Sequence, residues 1–177
     1  MTFANPAANA AAAAPAYVRA LLDVLGEREP VAVMAELVPA LERRLHGVPD
    51  GVLRRPESPG KWSVVEVLQH LADVELVYGF RGRLVLAEER PTIVGFDQDR
   101  WASLFRYHEA SVESALEQLR VLRSANLAIW QTLGPEERAR IGLHTERGEE
   151  SMELMLKMMA AHDLVHRRQI DRVLGTA

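Results

Sequence analysis

The sequence predicts an all-α protein folded as a four-helix bundle. Four long segments carry apolar residues at the three- and four-residue spacing of an amphipathic helix, and almost nothing alternates as a strand would. Each segment begins or ends at proline, glycine or a capping residue. In a bundle of this kind, the large buried volume lies between the helices, and a site built from side chains is expected there.

The chain begins with an alanine-rich stretch, a short helix and the first bundle helix. We interpret residues 1–15 as a flexible arm and residues 16–177 as a single domain. The short helix ends at Gly26, because glycine readily ends a helix. The first bundle helix begins at Pro30, where the missing N–H would have no helical partner anyway.

The second bundle helix is expected to begin with a capping box. Ser63 can accept a hydrogen bond from the third helical position, and Glu66 at that position can reach back to the Ser63 backbone. The helix is predicted to end near Glu89. The connection that follows, residues 90–108, is long and holds Trp101 among other aromatic residues. Long connections often cover a site, so we expect Trp101 to shield the site and contact substrate.

The third and fourth bundle helices complete the predicted fold. The third spans about residues 109–133 and ends before a Gly-Pro pair. A loop that contains His144 leads into the fourth helix, predicted over about residues 151–174.

Composition narrows the possible classes of function. The formal net charge of −4 and the sequence pI near 5.9 argue against nucleic-acid binding, which normally needs clustered basic residues. The chain has no cysteine, which excludes thiolate zinc sites and cysteine nucleophiles, so any metal must be held by histidine or carboxylate. No apolar run approaches the roughly 20 residues that a membrane helix needs. We therefore expect neither a nucleic-acid partner nor a membrane, and a cytoplasmic location.

The last helix carries two histidines at a spacing that suits a shared metal ion. His162 and His166 lie at i and i+4, which places both side chains on one helix face, one turn apart. The same face carries apolar residues that should point into the core. A buried pair of neutral imidazoles would leave ring nitrogens without partners, and two charged ones would repel. A metal ion removes both problems, although such a pair also arises by chance on solvent-facing helices.

His70 is the predicted third ligand. It lies in the second bundle helix near Val67, Leu71 and Val74, on the side expected to face inward. Three imidazoles from two helices would leave a coordination position for water or substrate, as in catalytic sites. Taken alone, His70 would more often be a core histidine bonded to a backbone carbonyl. Together with the histidine pair, we interpret it as a ligand.

Polar residues near the three histidines are candidates for catalysis and substrate binding. Asp73, three residues after the third ligand, is a candidate general base or acceptor for it. His144 could move a proton or contact substrate, with a plain loop histidine as the alternative. Gln169 lies on the ligand stripe, and Asn126 is a polar residue in an apolar helix that needs a partner. Both are predicted to line the pocket. Asp163 points about 100° away from His162 around the helix axis, which favours a surface salt bridge.

Two segments resemble a known family. "RPESPGKWSVVEVLQHLADVE" is similar to the segment of the DinB/YfiT-like superfamily that carries its first metal ligand, and "AAHDLVHRRQIDRVL" to the segment that carries the other two. The resemblance spans about residues 17–174. It implies an up-down-down-up four-helix bundle with an extra short N-terminal helix, often a homodimer. It also implies that His70, His162 and His166 bind one divalent ion such as zinc or nickel, while three imidazoles also suit iron, manganese or copper.

The resemblance leaves the reaction open. Characterised relatives include thiol-dependent transferases, so the first hypothesis is a metal-dependent S-transferase in which a low-molecular-weight thiol attacks a small electrophile. The alternative within the enzyme class is a hydrolase that uses metal-bound water. The alternative outside it is a stress protein that binds a metal or a small ligand without turnover.

Overall fold

The computed structural model describes residues 10–175, and most of this range is helical. The helices are α1 (Ala10–Leu25), α2 (Pro30–Leu45), α3 (Asp50–Leu53), α4 (Val64–Ala87), α5 (Gln98–Leu104), α6 (Val112–Trp130), α7 (Pro135–Ala139) and α8 (Met152–Leu174). The strands are β1 (Thr92–Ile93), β2 (Ile141–His144) and β3 (Gly148–Ser151). Helices α2, α4, α6 and α8 form the bundle, and α1 packs against α8.

Helices α4 and α6 run in the same direction. Near their starts, the Gln69 side chain donates a hydrogen bond to Gln118 at 3.2 Å. Further along both helices, Asn126 donates to the Glu75 carboxylate at 2.8 Å. Since both contacts advance together along the two helices, the long connection between them crosses from one end of the bundle to the other.

Helices α2 and α8 also run in the same direction. Early in the two helices, Met34 and Met155 belong to one apolar cluster, and late in them Leu41 and Ile170 belong to a second cluster. Helix α4 runs opposite to α8, since Leu68 near its start shares an apolar cluster with Ile170 near the end of α8, whereas Val85 near its end shares the other cluster with Met155. The order of directions is therefore up-down-down-up, which confirms the predicted bundle.

The predicted capping box is present at the start of α4. The Ser63 hydroxyl accepts from the backbone N–H of Glu66, and the Glu66 carboxylate accepts from the backbone N–H of Ser63 at 2.8 Å. Two N–H groups at the helix start thus gain partners. The cap fixes where α4 begins, and with it the turn on which His70 lies.

A small three-stranded sheet was not predicted from the sequence. Strand β1 pairs with β2 in parallel, and β2 pairs with β3 as an antiparallel hairpin. His144 ends β2, so its assignment to a loop was wrong. These strands have two to four residues, too few to show the alternation of apolar and polar side chains on which strand prediction depends.

The N-terminal boundary also differs from the prediction. Helix α1 begins at Ala10, so residues 10–15, assigned above to the arm, are helical. Alanine has the highest helix propensity, which explains the earlier start. The rest of the predicted arm, residues 1–9, lies outside the described residues. Within residues 10–175, no helix combines the length and apolar character required to cross a membrane.

Candidate metal centre

Helices α4 and α8 bring three imidazole rings to one point. The Nε2 atom of His162 lies 3.0 Å from Nε2 of His70 and 3.1 Å from Nε2 of His166. One ring nitrogen from each of the three residues lies within 4.8 Å of the others. At a metal–nitrogen distance near 2.1 Å, neighbouring ligand atoms are about 3.0 Å apart in octahedral and about 3.4 Å apart in tetrahedral geometry. The separations of 3.0 and 3.1 Å suit neighbouring ligands of one ion.

Hydrogen bonds between the rings cannot satisfy all three nitrogens. Nδ1 of His166 lies 2.9 Å from Oε1 of Gln169, so it carries the hydrogen, and Nε2 of this ring holds a lone pair. An N–H on His162 Nε2 could donate to only one of its two neighbours. A cation can accept a lone pair from each ring at once, so this donor set fits a divalent metal. The Nδ1 atoms of His70 and His162 have no partner among the described residues in either case.

The surroundings keep the three imidazoles neutral, which is the form that ligates a metal. Burial is the largest cause and lowers the pKa of His70 and His162 well below the usual range, with the neighbouring imidazoles adding to the effect. Burial also lowers the pKa of His166 to about 4, against the raising effect of its hydrogen bond to Gln169. At pH 7 their lone pairs are therefore available.

The three histidines open onto a large cavity. Its volume is about 930 Å³, a size that can hold a small organic molecule. Besides the histidines, the wall includes Gln169, His144, Trp62 and Arg81. The Trp62 ring lies 4.8 Å from the His70 ring and covers that side of the cluster. The cavity gives a substrate access to the ring nitrogens.

The structure places the predicted site residues in two groups. His70, His162, His166, Gln169 and His144 line the cavity. The other three predicted residues do not belong to its lining, and each has partners elsewhere.

Asp73 is buried and accepts a hydrogen bond from the Tyr107 hydroxyl, and its role as a general base stays a prediction. Asn126 bonds to the backbone carbonyl and carboxylate of Glu75 and accepts from Arg83. Its predicted need for a partner is met between α4 and α6 instead of in the pocket. Trp101 packs against Phe96 and Phe105, and of these three rings only Phe96 reaches the cavity wall.

Asp163 is not the surface residue that its position on the helix suggested. It is 2% exposed and accepts two hydrogen bonds from Arg123, at 2.7 and 3.0 Å. The same guanidinium forms an ion pair with buried Glu75 at 2.8 Å and donates to the Met34 carbonyl at 2.7 Å. This network ties α2, α4, α6 and α8 together. Its members are far apart in sequence, so helical spacing alone could not reveal it.

Most cavity residues were missed in the sequence, among them Trp62, Arg81 and Arg147. Trp62 stands directly before the Ser63 cap and about two helical turns ahead of the predicted ligand His70, a position that could have pointed to it. Arg81 on α4 is 5% exposed. Arg147 follows the first strand of the hairpin and pairs with Glu150. No local pattern marks the two arginines as pocket residues, because the sheet that buries them was not predicted.

Comparisons with known proteins agree with the fold and with a metal site. A protein of Oceanobacillus iheyensis is 30% identical over 107 residues, which are 60% of this chain and 62% of that protein. One of Geobacillus thermodenitrificans is 33% identical over 120 residues, 68% of this chain and 63% of the relative. YfiT of Bacillus subtilis is 26% identical over 149 residues, 82% of this chain and 84% of YfiT. All three carry names that propose a metal-dependent hydrolase.

The alignments with the first two relatives thus cover less than two thirds of those proteins. A solved structure of YfiT from Bacillus subtilis matches with a TM-score of 0.74 at 26% identity, covering 84% of this chain and 87% of that one. It is described as a probable metal-dependent hydrolase with an unusual four-helix bundle topology. The family model described as the DinB superfamily matches residues 36–170, a range that includes all three histidines. The chain belongs to the DinB superfamily.

Proposed function

We propose that this protein is a metal-dependent hydrolase of small molecules, with His70, His162 and His166 as the ligands of one divalent ion. The observation that carries the proposal is the convergence of three neutral imidazole nitrogens at separations of 3.0 and 3.1 Å beside a cavity. Three protein ligands leave a coordination position open, which is typical of catalytic zinc sites. A purely structural site would instead be closed by a fourth protein ligand.

The residues around the histidines have distinct tasks in this proposal. Gln169 accepts the Nδ1 hydrogen of His166 and so directs the Nε2 lone pair toward the ion. Trp62 shields one side of the cluster from water. A bound divalent ion supplies Lewis acidity, which polarises a substrate oxygen or lowers the pKa of a water molecule. The cavity wall holds the rest of the substrate.

Hydrolysis is preferred over thiol transfer because the names of the relatives propose hydrolases. The S-transferase expected above depends on the resemblance alone, and no described contact selects a thiol. Zinc and nickel are the first candidates for the ion, since imidazole suits both.

Metal titration of the purified protein tests the site. We expect one zinc or nickel ion per chain, and an affinity at least about 100-fold lower in His70→Ala, since even the loss of an outer partner costs 10- to 100-fold. His108→Ala is the control, because this histidine is 63% exposed on the surface. Equal metal affinity in both variants would refute the site.

The reaction is tested with the metal-loaded protein. Hydrolysis of p-nitrophenyl acetate without added thiol, lost after chelation, is the expected result. Turnover of 1-chloro-2,4-dinitrobenzene that requires cysteine would instead favour the S-transferase. If metal binds but neither substrate reacts, the non-catalytic alternative gains support. The homodimer and the cytoplasmic location stay predictions, and light scattering tests the first.

A further inference from the structure

The end of β2 places a hydrogen-bond donor without a partner in the cavity wall. Nδ1 of His144 accepts the backbone N–H of Glu146 at 3.1 Å. A backbone N–H can only donate, so Nδ1 holds the lone pair, and the hydrogen of the neutral ring lies on Nε2. His144 is 4% exposed, and its Nε2 atom has no hydrogen-bond partner within residues 10–175.

His144, which carries this donor, lines the same cavity as the three metal-binding candidates. A buried donor that forms no hydrogen bond is unfavourable, and such groups are rare in folded proteins. Burial, with Arg147 nearby, lowers the pKa of His144 to about 4, so the ring is neutral at pH 7 and keeps its Nε2 hydrogen. An acceptor oxygen of a bound molecule would give this hydrogen a partner.

Arg81 supplies a positive charge in the same wall. It is 5% exposed, donates to the Val94 carbonyl, and lies 5.2 Å from the Tyr78 ring centre and 5.7 Å from that of Phe96. In the part of the chain that the structure describes, Arg81 forms no ion pair with a carboxylate. A buried cation without a counter-ion is unfavourable, and an anionic group would compensate it.

The other charged side chains near His144 do not neutralise Arg81. Arg147 is the second cation, and both its Nε and Nη2 donate to the carboxylate of buried Glu150, so this pair is neutral. The Glu146 carboxylate is half-buried and lies against Gly95, where an added Cβ atom would be 2.5 Å from it. Glu146 affects Arg81 less than Arg147 and Glu150 do.

We propose that His144 and Arg81 form a subsite for an anionic oxygen, and that the substrate carries a carboxylate which binds there. The Nε2 hydrogen of His144 donates to one oxygen, and the guanidinium balances the charge. With the proposed function, this subsite holds the substrate while its reacting group faces the three histidines. The cavity of about 930 Å³ includes both sets of residues in its lining.

Binding of sodium benzoate and sodium 3-phenylpropionate to the purified full chain tests the subsite. Isothermal titration calorimetry gives the affinity, and ¹⁵N-correlated imidazole spectra report the His144 Nε2 resonance. We expect at least one of the two acids to bind and shift this resonance. The uncharged benzamide should bind at least about 10-fold more weakly, since hydrogen bonds to charged groups are the stronger ones. If neither acid binds, or if benzamide binds equally well, the subsite is refuted.

Variants assign the effect to the two residues. His144→Leu removes the donor and should weaken binding of the acid about 10-fold or more, whereas His144→Gln keeps an N–H donor and should weaken it less. Arg81→Gln should abolish the preference for the acid over benzamide. His108→Leu changes an exposed histidine and should have no effect. If circular dichroism shows that His144→Leu does not fold, the imidazole spectra of the unmodified protein test whether the acid contacts His144.

A chelator separates this inference from the metal site. A carboxylate can also bind a metal ion directly, so each titration is repeated with EDTA-treated protein. Binding that survives EDTA and still depends on His144 supports the subsite, even if the metal titration itself fails. Binding that vanishes with EDTA assigns the carboxylate to the ion and overturns the subsite, with the metal site left intact.

Discussion

Replacing Arg123 with leucine should destabilise the protein strongly. The guanidinium is 4% exposed and lies between the carboxylates of Asp163 and Glu75, both nearly inaccessible to water. Leucine supplies apolar bulk but leaves the two buried carboxylates without the cation between them. Asn126 still donates to Glu75 at 2.8 Å, whereas Asp163 loses both hydrogen bonds from Arg123.

The expected loss is about 3–5 kcal/mol of unfolding free energy, the range found when one partner of a buried ion pair is removed. This is a large share of the roughly 5–15 kcal/mol that stabilises an ordinary domain. Asp163→Asn in the Arg123→Leu background removes one of the stranded charges and should restore part of the loss. Arg120→Leu is the matched control, because Arg120 on the same helix pairs with Glu117 on the exposed surface and should leave the urea midpoint unchanged.

The loss should also depend on pH. Burial raises the pKa of Asp163 to about 6, even with Arg123 beside it. Without that cation the pKa of Asp163 rises further, so the folded variant binds a proton that the unfolded chain does not bind until lower pH. The variant therefore gains stability relative to the unmodified protein as the pH falls from 8 to 5. Urea unfolding at both pH values measures this. A loss below about 1 kcal/mol at pH 8, or an equal loss at both, would refute the reasoning.

Three further changes probe packing, ligand orientation and capping. Gly82→Ala should lower the free energy of unfolding by about 1–3 kcal/mol, because the added Cβ would lie 2.3 Å from the Trp130 ring. Gly51→Ala is the control, because its Cβ would meet no atom within 4 Å, and the melting temperatures of the two variants are compared. Gln169→Leu should weaken zinc binding about 10- to 100-fold by calorimetry, and Gln169→Glu, which keeps an acceptor, should weaken it less. Ser63→Ala should lower the unfolding free energy by about 1 kcal/mol in urea, and no change would argue against the cap.

The sequence predicts the bundle and the histidine cluster because both follow from local rules. Helical periodicity identifies the apolar faces, and the Ser63 cap defines the start of α4. Once the start of a helix is known, the direction of each side chain follows from the helical repeat. His70, His162 and His166 could therefore be assigned to inward faces, and the structure brings them together.

Residues whose surroundings come from distant segments could not be placed in this way. Asp73 is on the same helix as His70, but its partner Tyr107 comes from the connection after α5. Asp163 is buried because Arg123 reaches it from α6, 40 residues earlier. The position of His144 depends on the pairing of β1 with β2, in which each residue pairs with one 51 positions away in the sequence. None of these partners is visible in the spacing of a single helix.

The long helices and the hairpin position different parts of the proposed site. The proposed ligands are fixed by two long helices and a helix cap, so their geometry does not depend on the strands. The proposed carboxylate subsite depends on the hairpin, which positions His144, and on the stretch around β1 that packs over Arg81. Changes in residues 92–97 or 141–151 should therefore alter which molecule binds without removing the metal site. Relatives that share the three histidines but differ in these stretches are then expected to act on different substrates with the same ion.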